Sequence, residues 1–472
     1  MGIHFQDLPL YAGWGKPLRI ESSIEGREVV AGEVPEGLQG SWYRAGPDRQ
    51  YPPMLDEDVF IDGEGMAHLF RFDRGDVSYR SRWVRSARFQ LQERARRSLF
   101  GRYRNRYSDA PEAAGVNGGA ANTHMIYHAG RLLVLKEDDL PYELHPDTLE
   151  TLSHTDLGGQ VKATRLAAHP KIDQHTGELL TYASQALGDG SRDMAVFEFA
   201  ADGRLTNEMW FQAPWSGVMH DFGVTDDHFI LPFFPLITDM NVVKRGGTFY
   251  EWHDDKQVQV AVLPRRGSAD QIRWFRGPNA SAGHMMNAYA EGSKLHLDVV
   301  LYDGNCFPFF QTPDGRVCEA PPPMLTRMTC DLAGKDDTYT LRRLCARPGE
   351  MPKIDERYMG KPYTQGYMIM GRGPGGTSSV GRVDVTSGAV DYWEHGAAIT
   401  VQEPQFVPRS ATAGECDGWL LVILNRLDAG HSELAIFDAM NLARGPVTRL
   451  HIPVRVRSTF HGSWVPEEAI RR

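Results

Sequence analysis

A chain of 472 residues is long for one ordinary hydrophobic core, so it builds either two or three domains or one large symmetric architecture. Its 41% hydrophobic and 24% charged residues are those of a globular protein, and a formal net charge of −10 argues against nucleic acid as a partner. Five scattered cysteines, odd in number and without C-x-x-C spacing, argue against a disulfide framework or a cysteine metal site and fit a reducing cytoplasm.

The opening MGIHFQDLPL lacks the basic and apolar regions of a secretory signal, and no apolar run reaches the ~18 residues of a membrane span. To about residue 55 the chain is a Gly- and Pro-rich lead-in. A first hairpin follows in VFIDGEGMAHLFRFDRGDVSYRSRWV, with Leu69 and Arg71 alternating against Phe70 and Phe72 before a turn at Gly75-Asp76. From Arg85, RSARFQLQERARRSLFGRYRN places Phe89, Gln92-Glu93 and Leu99-Phe100 at helical spacing among arginines. This segment, about 85–106, reads as a solvated helix capping the fold, in preference to one lying on a membrane.

Hairpins then recur in RLLVLKEDDLPYELHPDTLET, MAVFEFAADGRLTNEMWF, SSVGRVDVTSGAVDYWE and ELAIFDAMNLARGPVTRLHI. Leu231-Pro232-Phe233-Phe234-Pro235-Leu236 reads as a buried strand and turn more than a membrane-docking patch, and EAPPPMLTRM as a rigid loop. In SAGHMMNAYAEGSKLHLDVV, a turn at Glu291-Gly292 precedes Leu295, Leu297 and Val299, which alternate with His296 and Asp298 as if only one face were buried. Hairpins over the whole length with little helical periodicity indicate an all-β propeller, a single domain over 1–472 with inserted cap loops and short helices.

His284 sits where a loop enters the sheet, and His169 (RLAAHPKIDQHTGEL), His220 (GVMHDFGVTDDHFIL) and His461 (RSTFHGSWVP) occupy comparable points. The first three of the set in chain order are each about one blade apart, a blade being roughly 40–50 residues before insertions, and the gap before His461 has room for two more. A propeller brings its inner strands to one axis, so these four are read as ligands of one metal. Four imidazoles suit Fe(II), Zn(II), Cu(II) or Ni(II). Zinc with four protein ligands would be closed and structural, whereas iron would keep two neighbouring positions for dioxygen or water. His228, His253, His296, His395 and His451 also lie on or near strands and are competitors for the role.

GSWYRAGP, FIDGEGMAHLFRF, LLVLKEDDLPYEL, AHPKIDQHTGEL, MHDFGVTDDHFIL, GHMMNAY, EMPKIDERYMGKPY, VQEPQFVPR and FHGSW occur in that order. Over nearly its full length the chain thereby resembles the carotenoid cleavage oxygenase family, most of all the bacterial lignostilbene-alpha,beta-dioxygenases. The resemblance implies a seven-bladed propeller with Fe(II) on its axis, held by His169, His220, His284 and His461. It also implies that Glu137, Glu350 and Glu403 accept the remaining ring N–H groups, with the pairing of glutamate to histidine left open.

The implied activity is cleavage of an alkene by O2 into two carbonyl fragments, on either polyenes or stilbenes. Lys136 stands where many carotenoid-cleaving relatives have an uncharged residue; such an amine is costly against a hydrocarbon and useful against a phenol. With Tyr103, matched to a second phenol-binding position, it would bind and help ionise a 4-hydroxyl, while Phe60 would stack on an aryl ring. The expectation is a lignostilbene-type dioxygenase acting on a small aromatic alkene, without stable membrane insertion and with a homodimer implied by the resemblance. Its competitors are an apocarotenoid-cleaving oxygenase and a propeller scaffold without iron.

Overall fold

Antiparallel hairpins recur through the described residues, 3–26, 28–371, 377–396 and 398–470 of a computed structural model, and stack around one axis as the seven blades of a β-propeller. The ring closes by pairing across the ends of the chain. The C-terminal strand Gly462–Pro466 becomes the inner strand of the first blade, beside Gly40–Asp48, and Val29–Ala31 forms the outer edge of the last, beside Thr448–Ile452. Closure spares the sheets an open end, where unpaired backbone groups would invite another chain.

Seven hydrophobic layers fill the spaces between neighbouring blades. Each full burial of a Val, Leu, Ile or Phe side chain contributes about 1.5–3 kcal/mol, so these layers dominate the fold's stability. A blade covered on both faces has no solvent side, which overturns the expected half-exposed strand after Glu291. His296 is 7% and Asp298 0% exposed. Asp298 survives there by accepting from Arg327 Nε and Nη2, each at 2.7 Å, and from Tyr363 Oη at 2.7 Å. The stretch Leu231–Leu236 is likewise buried, within and after the strand His228–Phe233.

Two further expectations need correction. The first hairpin turns at Arg74-Gly75, both at positive φ (47° and 86°) as a tight two-residue turn requires, and Asp76 already belongs to the next strand. The cap helix covers only Ala87–Ala95, not 85–106. Ser86 Oγ accepts from Phe89 N to start it, and Arg96 at φ 54° ends it. Nor is it solvated all round: Arg88, Phe89 and Gln92 are buried. Arg88 Nη1 donates to Asp62 Oδ1 and Nε to Glu64 Oε1, both at 2.9 Å, while Gln92 Nε2 donates to Glu64 Oε1 at 2.8 Å. The helix is thus bolted to the residues that follow Phe60. Met240–Lys244 and Glu467–Ile470 are the other α-helices among the described residues, and none is long and apolar enough to cross a membrane.

Candidate metal centre and cavity

Inner strands deliver the four histidines. His169, His220 and His461 stand just before Lys171–Ile172, Gly223–Val224 and Gly462–Pro466, while His284 lies within Ser281–Glu291 at a break in register between Ala282 and Met285. Such a bulge re-aims a side chain. It is fastened by Asp221, whose Oδ2 accepts from Met285 N at 2.8 Å and whose Oδ1 accepts from Lys171 Nζ at 2.7 Å. A Cβ at Gly283 would come within 2.6 Å of Glu350 Oε1 and push that carboxylate out of place. One ligand nitrogen from each histidine falls within 4.8 Å of the others.

The carboxylates resolve the pairing left open by the sequence. His220 Nδ1 meets Glu137 Oε1 at 3.2 Å, His284 Nδ1 meets Glu350 Oε2 at 2.7 Å, and His461 Nδ1 meets Glu403 Oε1 at 2.7 Å. A carboxylate only accepts, so each of these Nδ1 atoms carries its hydrogen and, in the neutral ring that binds a metal, each Nε2 presents a lone pair. His284 and His461 therefore face each other with two lone pairs 3.1 Å apart, an arrangement that repels unless a cation lies between. His169 Nε2 and His220 Nε2 are also 3.1 Å apart. For a metal–imidazole distance of about 2.1 Å, a right angle at the metal separates nitrogens by about 3.0 Å and a tetrahedral angle by about 3.4 Å. Both close pairs match the right angle, so the donor set fits an ion of higher coordination number better than closed tetrahedral zinc. Glu137 Oε2 and Glu403 Oε2 are buried without hydrogen-bond partners, residual negative charge that a nearby divalent cation would offset.

Charge directions differ among the ligands. Burial, followed by the neighbouring imidazoles, holds His169 and His461 well below the usual histidine range. Burial also lowers His284, but Glu350 outweighs it and the balance is raised. Burial alone would raise Glu137, yet its contact with His220 leaves it lowered.

Two cavities meet the histidines. The smaller, about 230 Å³, is mixed, with Lys171, Asp221, Lys353 and Glu356 beside Phe222, Met285 and Met286 in its wall. The larger, about 940 Å³, is mainly aromatic and proline-lined, with Phe60, Phe307, Phe309, Phe310, Phe460 and Pro321; small-molecule sites typically span about 300–1,000 Å³. Phe60, 45% exposed, stands in it with its ring edge-on to Phe309 and Phe460 at 5.9 Å each. Lys136 and Tyr103 form one end, with Lys136 Nζ 5.4 Å from the centre of the Tyr103 ring. Lys136 is 3% exposed and donates to Ile61 O at 3.0 Å and Asn122 Oδ1 at 3.1 Å. Those acceptors are neutral, it joins no salt bridge among the described residues, and the third of its three N–H donors is unused. Burial, followed by Glu137, keeps the Tyr103 hydroxyl well above the ordinary tyrosine range and so protonated.

All ten residues singled out from the sequence lie in or against this centre. The competing histidines do not: His296 binds Thr329 Oγ1 and His395 binds Ser378 O. Sequence reasoning missed Arg44, Asn122 and Tyr302. Arg44 and Asn122 give no periodic or spacing signal, and Tyr302 ends a strand already assigned to packing. The aromatic run Cys306-Phe307-Pro308-Phe309-Phe310 was a legible sign of a cavity wall.

The family described as retinal pigment epithelial membrane protein matches residues 15–466. The chain is 39% identical over 470 residues to the isoeugenol monooxygenase of Pseudomonas nitroreducens, covering 97% of this chain and 98% of that protein. It is 36% identical to the lignostilbene-alpha,beta-dioxygenase isozyme III of Sphingomonas paucimobilis, covering 98% of each. Among solved structures, a lignostilbene dioxygenase from Pseudomonas brassicacearum aligns with a TM-score of 0.95 at 39% identity, over 98% of this chain and 100% of that one. With its propeller, its four-histidine centre and these relatives, the chain belongs to the carotenoid cleavage oxygenase family and is an oxygenase.

Proposed function

We propose that the protein is a non-haem Fe(II) dioxygenase that adds both atoms of O2 across the central C=C bond of a phenolic stilbene and releases two aromatic aldehydes. The observation that carries this reading is Lys136, a buried amine with two neutral hydrogen-bond acceptors and no direct ion pair among the described residues, facing an aromatic cavity beside the histidines. A buried cation is costly until paired, and a substrate phenolate would add a direct anionic contact to the more distant fields of Asp62, Glu137 and Asp138. Relatives are named for lignostilbene and isoeugenol, compounds that share a phenol conjugated to an alkene. A polyene offers no such group, so apocarotenoid cleavage is less supported.

Ferrous iron held by His169, His220, His284 and His461 would supply dioxygen activation. This chain's other residues do the rest. Lys136 and Tyr103 donate to the 4-oxygen of the substrate and favour its anionic form, which makes the conjugated alkene electron-rich. Phe60 packs on an aryl ring. The carboxylates of Glu137, Glu350 and Glu403 fix three imidazoles in the tautomer that leaves Nε2 free, and the aromatic wall keeps bulk water from the reacting bond.

Lys136→Ala, assayed by oxygen uptake with 4-hydroxystilbene and its 4-methoxy analogue, tests the assignment. A loss confined to the phenol supports it; equal loss on both substrates removes phenol activation from Lys136. A purified protein that holds no iron and gains no activity on ferrous reconstitution would instead favour a scaffold.

A further inference from the structure

The three carboxylates behind the histidines differ in what they face. Side-chain exposure is 3% for Glu403 and 9% for Glu137 but 22% for Glu350; Glu137 and Glu350 both line the large cavity. The position of Glu350 is heavily constrained. Oε2 accepts from His284 Nδ1 at 2.7 Å and from Met351 N at 2.5 Å. Met351 is held at φ 54°, and the strand register breaks between Glu350 and Lys353. Beneath the carboxylate lies Gly283, where a side chain would displace it. The other oxygen, Oε1, accepts from Tyr302 Oη at 3.1 Å, and Tyr302 lines the same cavity. Tyr302 ends the strand Lys294–Tyr302, paired with Ser281 three positions before His284. Hydroxyl, carboxylate and imidazole therefore form a chain running from the cavity wall to a candidate metal ligand.

Neither Glu137, which lines the cavity directly, nor Glu403 has such a hydroxyl behind it: the second oxygen of each has no hydrogen-bond partner. An aryl ring entering beside Glu350 would keep water away from Oε1, leaving the Tyr302 hydroxyl as its donor. A buried acceptor without a donor is expensive, so the carboxylate would turn to recover one and take His284 with it. The Tyr302 hydroxyl removes that incentive.

We propose that Tyr302 is a positioning residue for the oxygenase reaction: it holds Glu350, and through it His284, in place from inside the cavity, where the distal ring of a diaryl substrate packs. The inference rests on the cavity being the substrate site, as above.

Iron-loaded wild type and Tyr302→Phe provide the test, since the substitution keeps the ring and removes only the hydroxyl. Loss of a partner behind a metal-ligating histidine typically costs about 10–100-fold in metal affinity or activity. We expect iron release to an excess ferrous chelator to quicken by about tenfold, at the low end because Met351 N still holds Oε2. We also expect an altered rhombicity of the ferrous nitrosyl spectrum with 4-hydroxystilbene bound, and a kcat on it lowered by about tenfold with KM nearly unchanged. In Tyr302→Phe combined with Glu350→Gln, iron release should be no faster than in Glu350→Gln alone, because the two groups act in series. Wild-type iron release and nitrosyl spectrum in Tyr302→Phe, or independent additive losses in the double variant, would overturn the proposal. The iron-release measurement needs no turnover, so it separates this inference from a failure of the stilbene assignment.

Discussion

Glu403 is the carboxylate whose replacement perturbs both the metal centre and the fold. Its Oε1 accepts from His461 Nδ1 at 2.7 Å, and Arg44 Nη1 lies 3.7 Å from Oε2. Arg44 is fully buried, and burial pulls its guanidinium down to about 10 even though Glu403 acts in the opposite direction. Removing one partner of a buried charge pair typically costs about 3–5 kcal/mol. In Glu403→Ala the guanidinium still donates to Thr459 Oγ1 at 2.7 Å, to the backbone carbonyl of residue 403 at 2.9 Å and to Phe460 O at 3.0 Å. The expected loss is therefore at the low end, about 3 kcal/mol. The His461 N–H simultaneously loses its acceptor, which should weaken iron binding by about 10–100-fold, or about 1.4–2.8 kcal/mol. Glu403→Gln keeps an acceptor and removes the charge, so it should fall between wild type and Glu403→Ala in both respects. Urea unfolding of the apoproteins gives the first quantity, and chelator competition for Fe(II) gives the second. A Glu403→Ala protein that unfolds at the wild-type midpoint and binds iron within about twofold of wild type would refute the role of charge here.

Arg88→Met should cost about 3 kcal/mol in urea unfolding, at the low end for a broken buried pair because Asp62 keeps Arg49 and Glu64 keeps Gln50 N and Gln92; a loss under 1 kcal/mol would show that cap attachment is mostly apolar. Phe60→Ala removes edge contacts with Phe309 and Phe460, each worth about 0.5–1.5 kcal/mol, together with packing on the substrate. KM for a diaryl alkene should rise by about tenfold, and an unchanged KM would move the aryl site elsewhere. Burial pushes Asp138, beside a separate polar cavity of about 230 Å³, up to about 6, against the pull of Lys136 and Arg104. Its folded value exceeds its unfolded one, so its contribution to stability is present below about pH 4 and lost as pH rises through about 6. Asp138→Asn should therefore gain on wild type across that window by roughly 1–2 kcal/mol, the cavity's water damping the effect; a pH-independent difference in unfolding free energy would contradict the assignment. Activity abolished by a ferrous chelator should return with Fe(II) and not with Zn(II), and recovery with zinc would rule out a redox role for the metal.

Hairpins were legible because strand alternation and turn residues are local. Closure was not. The inner strand of the first blade comes from Gly462–Pro466, and the outer edge of the last from Val29–Ala31. Two inner strands, Lys171–Ile172 and Gly223–Val224, are too short to show any periodicity. Burial of Asp298 and His296 was misread for a related reason: alternation reports a solvent face, and a blade packed between two others has none.

His169, His220 and His461 were legible because each falls where a loop meets an inner strand; His284, expected at such a point, lies inside its strand at a bulge, and what surrounds the four was not legible. The wall around Lys136 shows why. Lys136, Glu137 and Asp138 are consecutive, and Asp139 N donates back to Lys136 O at 3.3 Å, closing a turn. Strand alternation would assign two faces to these residues. In the turn they serve three compartments: Lys136 reaches Asn122 and the aromatic cavity, Glu137 reaches His220, and Asp138 lines the polar cavity behind Tyr103. A charge pattern of one cation and two anions in a row reads as a solvated loop, yet the first two of these side chains are under 9% exposed and the third faces an internal cavity. Each is tolerated in place for a different reason: Lys136 by two hydrogen bonds and a substrate oxygen still to come, Glu137 by an imidazole, Asp138 by a raised affinity for its proton. One turn thus places the group that binds phenol next in sequence to the group that orients a metal ligand, so a residue inserted in it would disturb recognition and the metal centre together.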